Sequence, residues 1–165
     1  MKKRVLIILM ISIVFGFATG YSLHHWIHSA RFPEEKIMLM PEHPFYLLDE
    51  VNEEVLYNTL KHYDFPNPAI ITAQAVLESG NFKSKLCKDN NNLFGLYNSR
   101  TMSYFKFDSW ISCVFAYKQF ILSKYNPEED YYKFLDRIGY AEDSLYESKV
   151  KKLELRILNK YGSSN

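Results

Sequence analysis

The segment of residues 67–80 places the strongest constraint on the fold, because its interior is almost entirely apolar and both of its ends carry helix signals. Asn67 and Pro68 predict a helix start, as an N-cap followed by a proline at the first helical position. Gly80 predicts the end, in a left-handed conformation. A helix that is apolar on all sides has to be covered by other elements. The segment therefore predicts a buried central helix.

Apolar residues at helical spacing predict further helices on both sides of this segment, and a stretch rich in Asn, Gly and aromatic residues between Asn90 and Phe107 predicts a small hairpin. The other predicted helices are one from Leu47 through Leu60 that Pro66 stops, a long one capped by Asp108 or Ser109 and continuing through Leu122, and a shorter one from about Pro127 to Ile138. A last helix from Ser144 to Tyr161 is predicted to have an apolar inner face formed by Tyr146, Val150, Leu153 and Ile157. The sequence thus predicts a mainly α domain with a minor β element.

The beginning of the chain has the pattern of an export signal. Lys2, Lys3 and Arg4 precede an apolar run from Val5 to Phe17, and small residues follow it. Continued to Leu23, the run barely reaches the ~18 to 20 residues that span a bilayer, so an uncleaved anchor is the alternative. In both cases we expect the protein to be exported, either periplasmic or anchored to the inner membrane and facing outward. No Cys follows the run, which excludes a lipoprotein anchor there.

The chain accordingly divides into a signal peptide or membrane anchor over residues 1–23, a proline-containing linker over 24–46 and one domain over 47–161. Without Lys2, Lys3 and Arg4, 17 of the 20 basic residues remain against 19 acidic ones, which argues against nucleic acid as a partner. Two of the histidines at 24, 25 and 28 have metal-ligand spacing, but no carboxylate or Cys nearby completes a site, and a polar patch beside the membrane explains them equally well. We expect neither a metal nor a cofactor.

Glu78 is the candidate for chemistry, because it ends a helix whose preceding ten residues contain only two polar side chains, Thr72 and Gln74. The negative end of the helix dipole and an apolar surround both raise the pKa of a carboxyl group. A raised pKa keeps a general acid protonated near neutral pH while it donates to a glycosidic oxygen. The alternative is a Glu that turns into solvent at the end of a helix.

Four blocks of sequence together resemble one known family. They are AQAVLESGNFKSKL, NNLFGLYN, FDSWISCVFAY and GYAEDSLYESKV, in the order and spacing of the glucosaminidase domain, glycoside hydrolase family seventy-three. The resemblance covers roughly residues 48–158. It implies a lysozyme-like fold of about five or six helices with a small β-hairpin lobe beside the cleft. It also implies hydrolysis of the β-1,4 bond after N-acetylglucosamine, with the glycan strands of peptidoglycan as the partner.

Carried over by position, the resemblance implies that Glu78 is the catalytic acid and that Tyr140 lies beside the scissile sugar. Asp143 is expected to cap the last helix. The second block supplies candidate substrate-binding residues of the cleft floor, for which a tight turn without substrate contact is the alternative. These candidates are Asn92, Phe94, Gly95 and Tyr97.

The chain departs from the family at the second carboxylate, which many members supply from the hairpin lobe. Residues 96–107 contain neither Asp nor Glu. Asp108 and Asp89 flank the lobe and are the possible second carboxylates, although Asp108 is also a candidate helix cap and Asp89 a loop residue. Alternatively, the 2-acetamido group of the substrate acts as the nucleophile, or Tyr140 holds a water together with a more distant acid.

Two other functions compete with a glucosaminidase. One is a lytic transglycosylase, because ESGNF fits its catalytic block, although its expected downstream block is missing. The other is a non-catalytic wall-binding or assembly protein that has kept the fold. Cys87 and Cys113 are the only cysteines and, in an exported protein, a possible disulfide, with two buried thiols as the alternative.

Overall fold

The computed structural model describes residues 50–162, which form six α-helices, one turn of 3₁₀ helix and a two-stranded antiparallel sheet. This mainly α fold with a small hairpin confirms the predicted fold class. The predicted signal or anchor over 1–23, the linker over 24–46 and the His24, His25 and His28 cluster lie outside the described residues. The elements are α1 (Glu53–His62), α2 (Pro68–Glu78), α3 (Lys85–Asn90), β1 (Tyr97–Asn98), β2 (Ser103–Tyr104), α4 (Trp110–Phe120), the 3₁₀ turn (Leu122–Lys124), α5 (Tyr131–Arg137) and α6 (Tyr146–Tyr161).

Helix α2 is the buried central helix that the sequence predicts. Its eight residues from Ala69 to Val76 are all buried, and its main neighbours are α6 and α1. Pro68 occupies the first turn as predicted, and Gly80 has a φ of +58° just beyond the helix. The predicted cap is wrong in its geometry, because Asn67 is left-handed and its side chain makes no cap hydrogen bond. Its amide donates instead to the hydroxyl of Tyr125 at 3.3 Å.

Among the described residues, helix α1 begins at Glu53, which is later than the sequence predicts. Asn52 is extended, and its side chain accepts a hydrogen bond from the backbone N–H of Val55 at 3.0 Å, so it forms the N-cap. The part of the prediction before residue 50 lies outside the described residues. Helix α3 has no counterpart among the predicted helices. It is a short helix that Ser84 starts by capping the backbone N–H of Cys87.

The predicted hairpin is present, with Tyr97 opposite Tyr104 and Asn98 opposite Ser103. Each strand has two residues, and the four-residue loop between them includes Met102 at a φ of +54°. The hairpin is therefore a small lobe attached to a helical body.

The later helices follow the prediction with displaced ends. Helix α4 stops at Phe120 and gives way to the 3₁₀ turn, and α5 begins only at Tyr131 because Asp130 caps it. Helix α6 buries Val150 and Ile157 on its predicted inner face. No helix between residues 50 and 162 is both long and apolar enough to cross a membrane.

Candidate active site

The carboxyl group of Glu78 lies at the C-terminal end of α2, where the chain turns sharply. Ser79 is buried, and its hydroxyl accepts a hydrogen bond from the backbone N–H of Phe82 at 2.8 Å. Gly80, Asn81 and Phe82 all have positive φ angles, between +58° and +61°. This left-handed turn ends the helix at Glu78 and leaves the side chain at the molecular surface.

Gly95 lies directly against the carboxyl group. A Cβ atom built on Gly95 would be 3.7 Å from Oε2 of Glu78, and the φ of Gly95 is +64°. The loop before β1 therefore faces the end of α2 through its backbone. The absence of a side chain on Gly95 keeps space open beside Glu78.

The pKa of Glu78 is shifted in the direction that the sequence predicts. Glu78 has one side exposed to solvent, but the protein surrounding the rest of the carboxyl removes enough water to raise its pKa. The hydroxyl of Tyr146 donates a hydrogen bond to the carboxylate and partly opposes this shift of the pKa. Burial is thus the main cause of the raised pKa, and Tyr146 moderates it.

Tyr140 packs close to this centre, but its hydroxyl points inward. Its ring contacts Tyr117 and Tyr146, with centroids 6.2 and 5.7 Å apart. The hydroxyl oxygen is shielded from solvent and has no hydrogen-bond partner among the described residues. Burial raises the pKa of Tyr140, so the hydroxyl stays neutral. A buried hydroxyl of this kind is expected to take up a water molecule or a polar group of a ligand.

The four candidate residues of the cleft floor divide into two pairs. Asn92 and Phe94 are buried; Asn92 bonds only to protein groups, and the Phe94 ring lies 4.2 Å from that of Tyr117. These two residues build the loop, which agrees with the tight-turn alternative. Gly95 and Tyr97 are accessible to solvent, and the Tyr97 ring meets Tyr104 across the hairpin, edge to face, at 5.2 Å.

Neither flanking aspartate is among the groups that shift the pKa of Glu78. Asp108 is exposed and does not cap α4, because the hydroxyl of Ser109 accepts from the backbone N–H of Ser112 at 3.1 Å. Asp89 is exposed and lies within α3 rather than in a loop. No carboxylate in the described part of the chain contributes to the pKa shift of Glu78.

Asp143 has a different role from the one predicted. Helix α6 starts at Tyr146, and Asp143 lies outside the cap position. Its carboxylate accepts from the backbone N–H of Leu145 at 2.9 Å and from the ammonium group of Lys149. These bonds and Lys149 lower the pKa of Asp143, so it stays ionised while it braces the turn before α6.

The two cysteines are buried, and the structure holds both as thiols. Burial raises the pKa of Cys113 to about 12, with a smaller increase from the nearby Cys87. The disulfide between them stays a prediction. Two cavities of about 470 and 660 Å³ border Val51 and Phe82, and Glu78 lines neither of them.

The polar groups that lie behind Glu78 are not among the residues that the sequence predicts for the site. Gln74 is completely buried and bonds to the hydroxyls of Tyr146 and Tyr117. The signal was present in the sequence, because a glutamine in an otherwise apolar helix needs partners when it is buried. The spacing of the last helix predicts only that Tyr146 belongs to its apolar face.

Comparison with known proteins gives one finding. Residues 54–159 match the sequence model of a family described as Glucosaminidase: Mannosyl-glycoprotein endo-beta-N-acetylglucosaminidase. No significant match was found among curated proteins or among solved structures. Within residues 50–162, no group of three His, Cys, Asp or Glu side chains is arranged to hold a metal ion.

Proposed function

The chain belongs to the glucosaminidase family of peptidoglycan-cleaving hydrolases, and we propose on this basis that it cleaves the β-1,4 bond after N-acetylglucosamine with Glu78 as general acid. The observation that carries the proposal is the carboxyl group of Glu78, which is open to solvent on one side yet has a raised pKa. A raised pKa keeps a larger fraction of the carboxyl protonated at a given pH, and the exposed side lets it reach a substrate.

In the proposed reaction, Glu78 donates its proton to the glycosidic oxygen as the bond from that oxygen to the anomeric carbon breaks. The carboxylate that remains keeps the hydrogen bond from Tyr146, which stabilises the new charge. We assign the attack on the anomeric carbon to the oxygen of the substrate's own 2-acetamido group. Water then opens the cyclic intermediate, and Glu78 takes up the proton of that water.

No carboxylate of the described residues is among the groups that shift the pKa of Glu78, which supports this choice of nucleophile. Two carboxyl groups of a retaining glycosidase are about 5 to 5.5 Å apart, and at that distance each raises the pKa of the other. No acidic group in the region 50–162 has this effect on Glu78. Tyr140 is proposed to hold a buried water through its unpaired hydroxyl, close to the reacting centre.

Digestion of purified peptidoglycan tests the proposal through the chemistry of the new ends. New reducing N-acetylglucosamine ends are expected. Anhydro-muramic ends would assign the chain to the lytic transglycosylases, and no new ends would assign it to the non-catalytic wall-binding proteins. The proposed site of action is outside the cytoplasm, in the periplasm or at the outward face of the inner membrane.

Glu78→Gln is the decisive variant, with Asp108→Asn as its matched control. Glu78→Gln should lower turnover by about 10²- to 10⁴-fold, because the amide cannot release a proton. Asp108→Asn should retain most of the activity and stability, since Asp108 is exposed and Ser109 forms the cap. Equal loss of activity in both folded variants would identify Asp108 as a second catalytic carboxylate.

The stability of Glu78→Gln gives a second check. A raised pKa in the folded state means that ionisation of Glu78 disfavours folding. This penalty is absent below the ordinary carboxyl pKa of about 4.3 and grows as the pH rises through the folded-state value. Glu78→Gln should therefore match the parent in acid and be at least as stable at neutral pH. Near-normal cleavage by a folded Glu78→Gln variant would refute the catalytic assignment.

A further inference from the structure

Hydrogen bonds link three residues of the core to Tyr146, whose hydroxyl acts on the carboxyl group of Glu78. The amide Nε2 of Gln74 lies 3.3 Å from the Tyr146 hydroxyl, and its Oε1 lies 2.9 Å from the Tyr117 hydroxyl. The Tyr117 hydroxyl in turn lies 3.0 Å from that of Tyr131. Gln74, Tyr117 and Tyr131 are all buried, Tyr146 is half-buried, and Glu78 is the most exposed of these residues.

The donors and acceptors in this chain have one consistent direction. Tyr117 uses its single proton on Oε1 of Gln74, so the proton between Tyr117 and Tyr131 comes from Tyr131. Because Oε1 faces Tyr117, the N–H group of Gln74 faces Tyr146. The Tyr146 oxygen therefore accepts from Gln74, and its own proton is left for the carboxylate of Glu78.

We propose that Gln74 is a positioning residue for Glu78, acting through Tyr146, with the Tyr117 hydroxyl fixing which way the Gln74 amide points. The inference rests on the proposed function, because it assigns a role in preparing the general acid. Gln74 does not touch the substrate. It holds the Tyr146 hydroxyl in the orientation that donates to Glu78, and it strengthens that donation because hydrogen bonds in a chain polarise one another.

The surroundings of Glu78 leave the hydrogen bond from Tyr146 as the main interaction through which a substitution among these residues can change the pKa of the carboxyl group. Three titratable groups interact electrostatically with Glu78. They are Tyr146 at the start of α6, Tyr140 before it and Tyr117 on α4. Burial raises the pKa of all three, so they are neutral while Glu78 titrates. No cation in the described region contributes to the shift of Glu78. A change in the donation from Tyr146 should therefore appear directly in the titration of Glu78.

The test is a titration of Glu78 in the full chain, followed by carbon NMR of labelled glutamate carboxyl groups. Comparison with Glu78→Gln assigns the resonance. Tyr146→Phe should raise the pKa of Glu78 by about one unit, because it removes a hydrogen bond that favours the ionised form. Gln74→Met should raise it by a smaller amount in the same direction, since Tyr146 then loses the group that orients it.

Tyr117→Phe and Tyr125→Phe form a matched pair of variants. Tyr117→Phe removes the bond that fixes the Gln74 amide and should also raise the pKa of Glu78. Tyr125 belongs to the same aromatic cluster, with its ring 5.1 Å from that of Tyr131, but its hydroxyl donates to the backbone oxygen of Glu129. Tyr125→Phe should leave the pKa of Glu78 unchanged. If Gln74→Met does not fold, Tyr117→Phe decides the question.

The pH profile of kcat/KM on peptidoglycan is the second readout. A general acid has to be protonated, so the alkaline limb of the profile reports its pKa in the free enzyme. This limb should move to higher pH in Gln74→Met and Tyr117→Phe and stay in place in Tyr125→Phe. A fall in kcat/KM without any displacement of the limb would mean a merely structural role and would overturn the inference.

The two proposals fail in different ways. If Glu78→Gln still cleaves peptidoglycan, the catalytic assignment is wrong, while the NMR titration continues to test the positioning of Glu78. If Glu78→Gln is inactive but the pKa of Glu78 is the same in the parent, Gln74→Met and Tyr117→Phe, Gln74 is not a positioning residue and the general acid stands.

Discussion

Replacement of Asn92 by alanine should destabilise the domain more than any other change in the hairpin lobe. Asn92 is 1% exposed, and its side chain makes three hydrogen bonds of 2.8 to 3.0 Å, to the backbone N–H and oxygen of Leu96 and to the backbone oxygen of Phe105. The Leu96 oxygen also accepts from the backbone N–H of Phe105 and so keeps one partner. The buried N–H of Leu96 loses the acceptor that Asn92 supplies.

The expected loss follows from these contacts. Three hydrogen bonds at about 1 kcal/mol each give about 3 kcal/mol, with a further penalty for the buried N–H left without its acceptor. This is a large part of the 5 to 15 kcal/mol that stabilises a typical domain. Urea unfolding followed by circular dichroism measures it. The control is Asn98→Ala, because Asn98 accepts from the backbone of Arg100 and Thr101 at the exposed end of the hairpin, where water can replace it.

In the Asn92→Asp variant, the stability of the domain should depend on pH, in a direction that follows from the contacts of Asn92. In Asn92→Asp, a carboxylate oxygen faces the backbone oxygens of Leu96 and Phe105, so the folded state raises the pKa of the new group. Stability relative to the parent should be highest below the ordinary Asp pKa of about 3.9 and should fall as the pH rises through the folded-state value. Two results would refute the reasoning. One is a free energy of unfolding of Asn92→Ala within about 1 kcal/mol of that of the parent. The other is an Asn92→Asp variant whose stability relative to the parent is the same at neutral pH as in acid.

Gly95→Ala and Gly139→Ala should each cost about 1 kcal/mol in urea unfolding, because both glycines have positive φ. Turnover assays should show lower kcat for Gly95→Ala alone, since its Cβ approaches Glu78 while that of Gly139 meets nothing; equal activities would contradict this. Cys113 should resist alkylation at pH 8 in the native state and react once the chain is unfolded, as mass spectrometry can show. Modification at an equal rate in both states would disprove its burial. A reporter active only in the cytoplasm, fused after Asn165, should be silent, and strong activity would exclude export.

The sequence was sufficient for the elements that depend on local pattern. The apolar run of α2, Pro68 and Gly80 predicted the central helix and both its ends, and the spacing around Val150 predicted the inner face of α6. Local pattern failed where several residues compete for one role. Ser109 rather than Asp108 caps α4, and the side chain of Asn67 bonds to Tyr125 instead of capping α2. Both outcomes depend on neighbours that only the folded chain supplies.

The same limit applies to the candidate site. Glu78 could be selected from the sequence because a carboxyl at the end of an apolar helix is conspicuous. Its partner Tyr146 could not, since a tyrosine on the inner face of a helix has the same pattern whether it packs or donates a hydrogen bond. Gln74 lies 72 residues from Tyr146 and 43 from Tyr117, so no local spacing connects them.

The separation between Glu78 and Tyr146 along the chain has a consequence for biosynthesis. A growing polypeptide has completed α2, with its glutamate, long before the ribosome adds Tyr146 and the rest of α6. Because α6 is a main neighbour of α2 and supplies Tyr146, the surroundings that set the acidity of Glu78 are complete only when the last helix docks. A nascent or C-terminally truncated chain therefore carries the glutamate in an unprepared state. The environment that raises the pKa of Glu78 is therefore completed late, after the last helix of the domain has been synthesised.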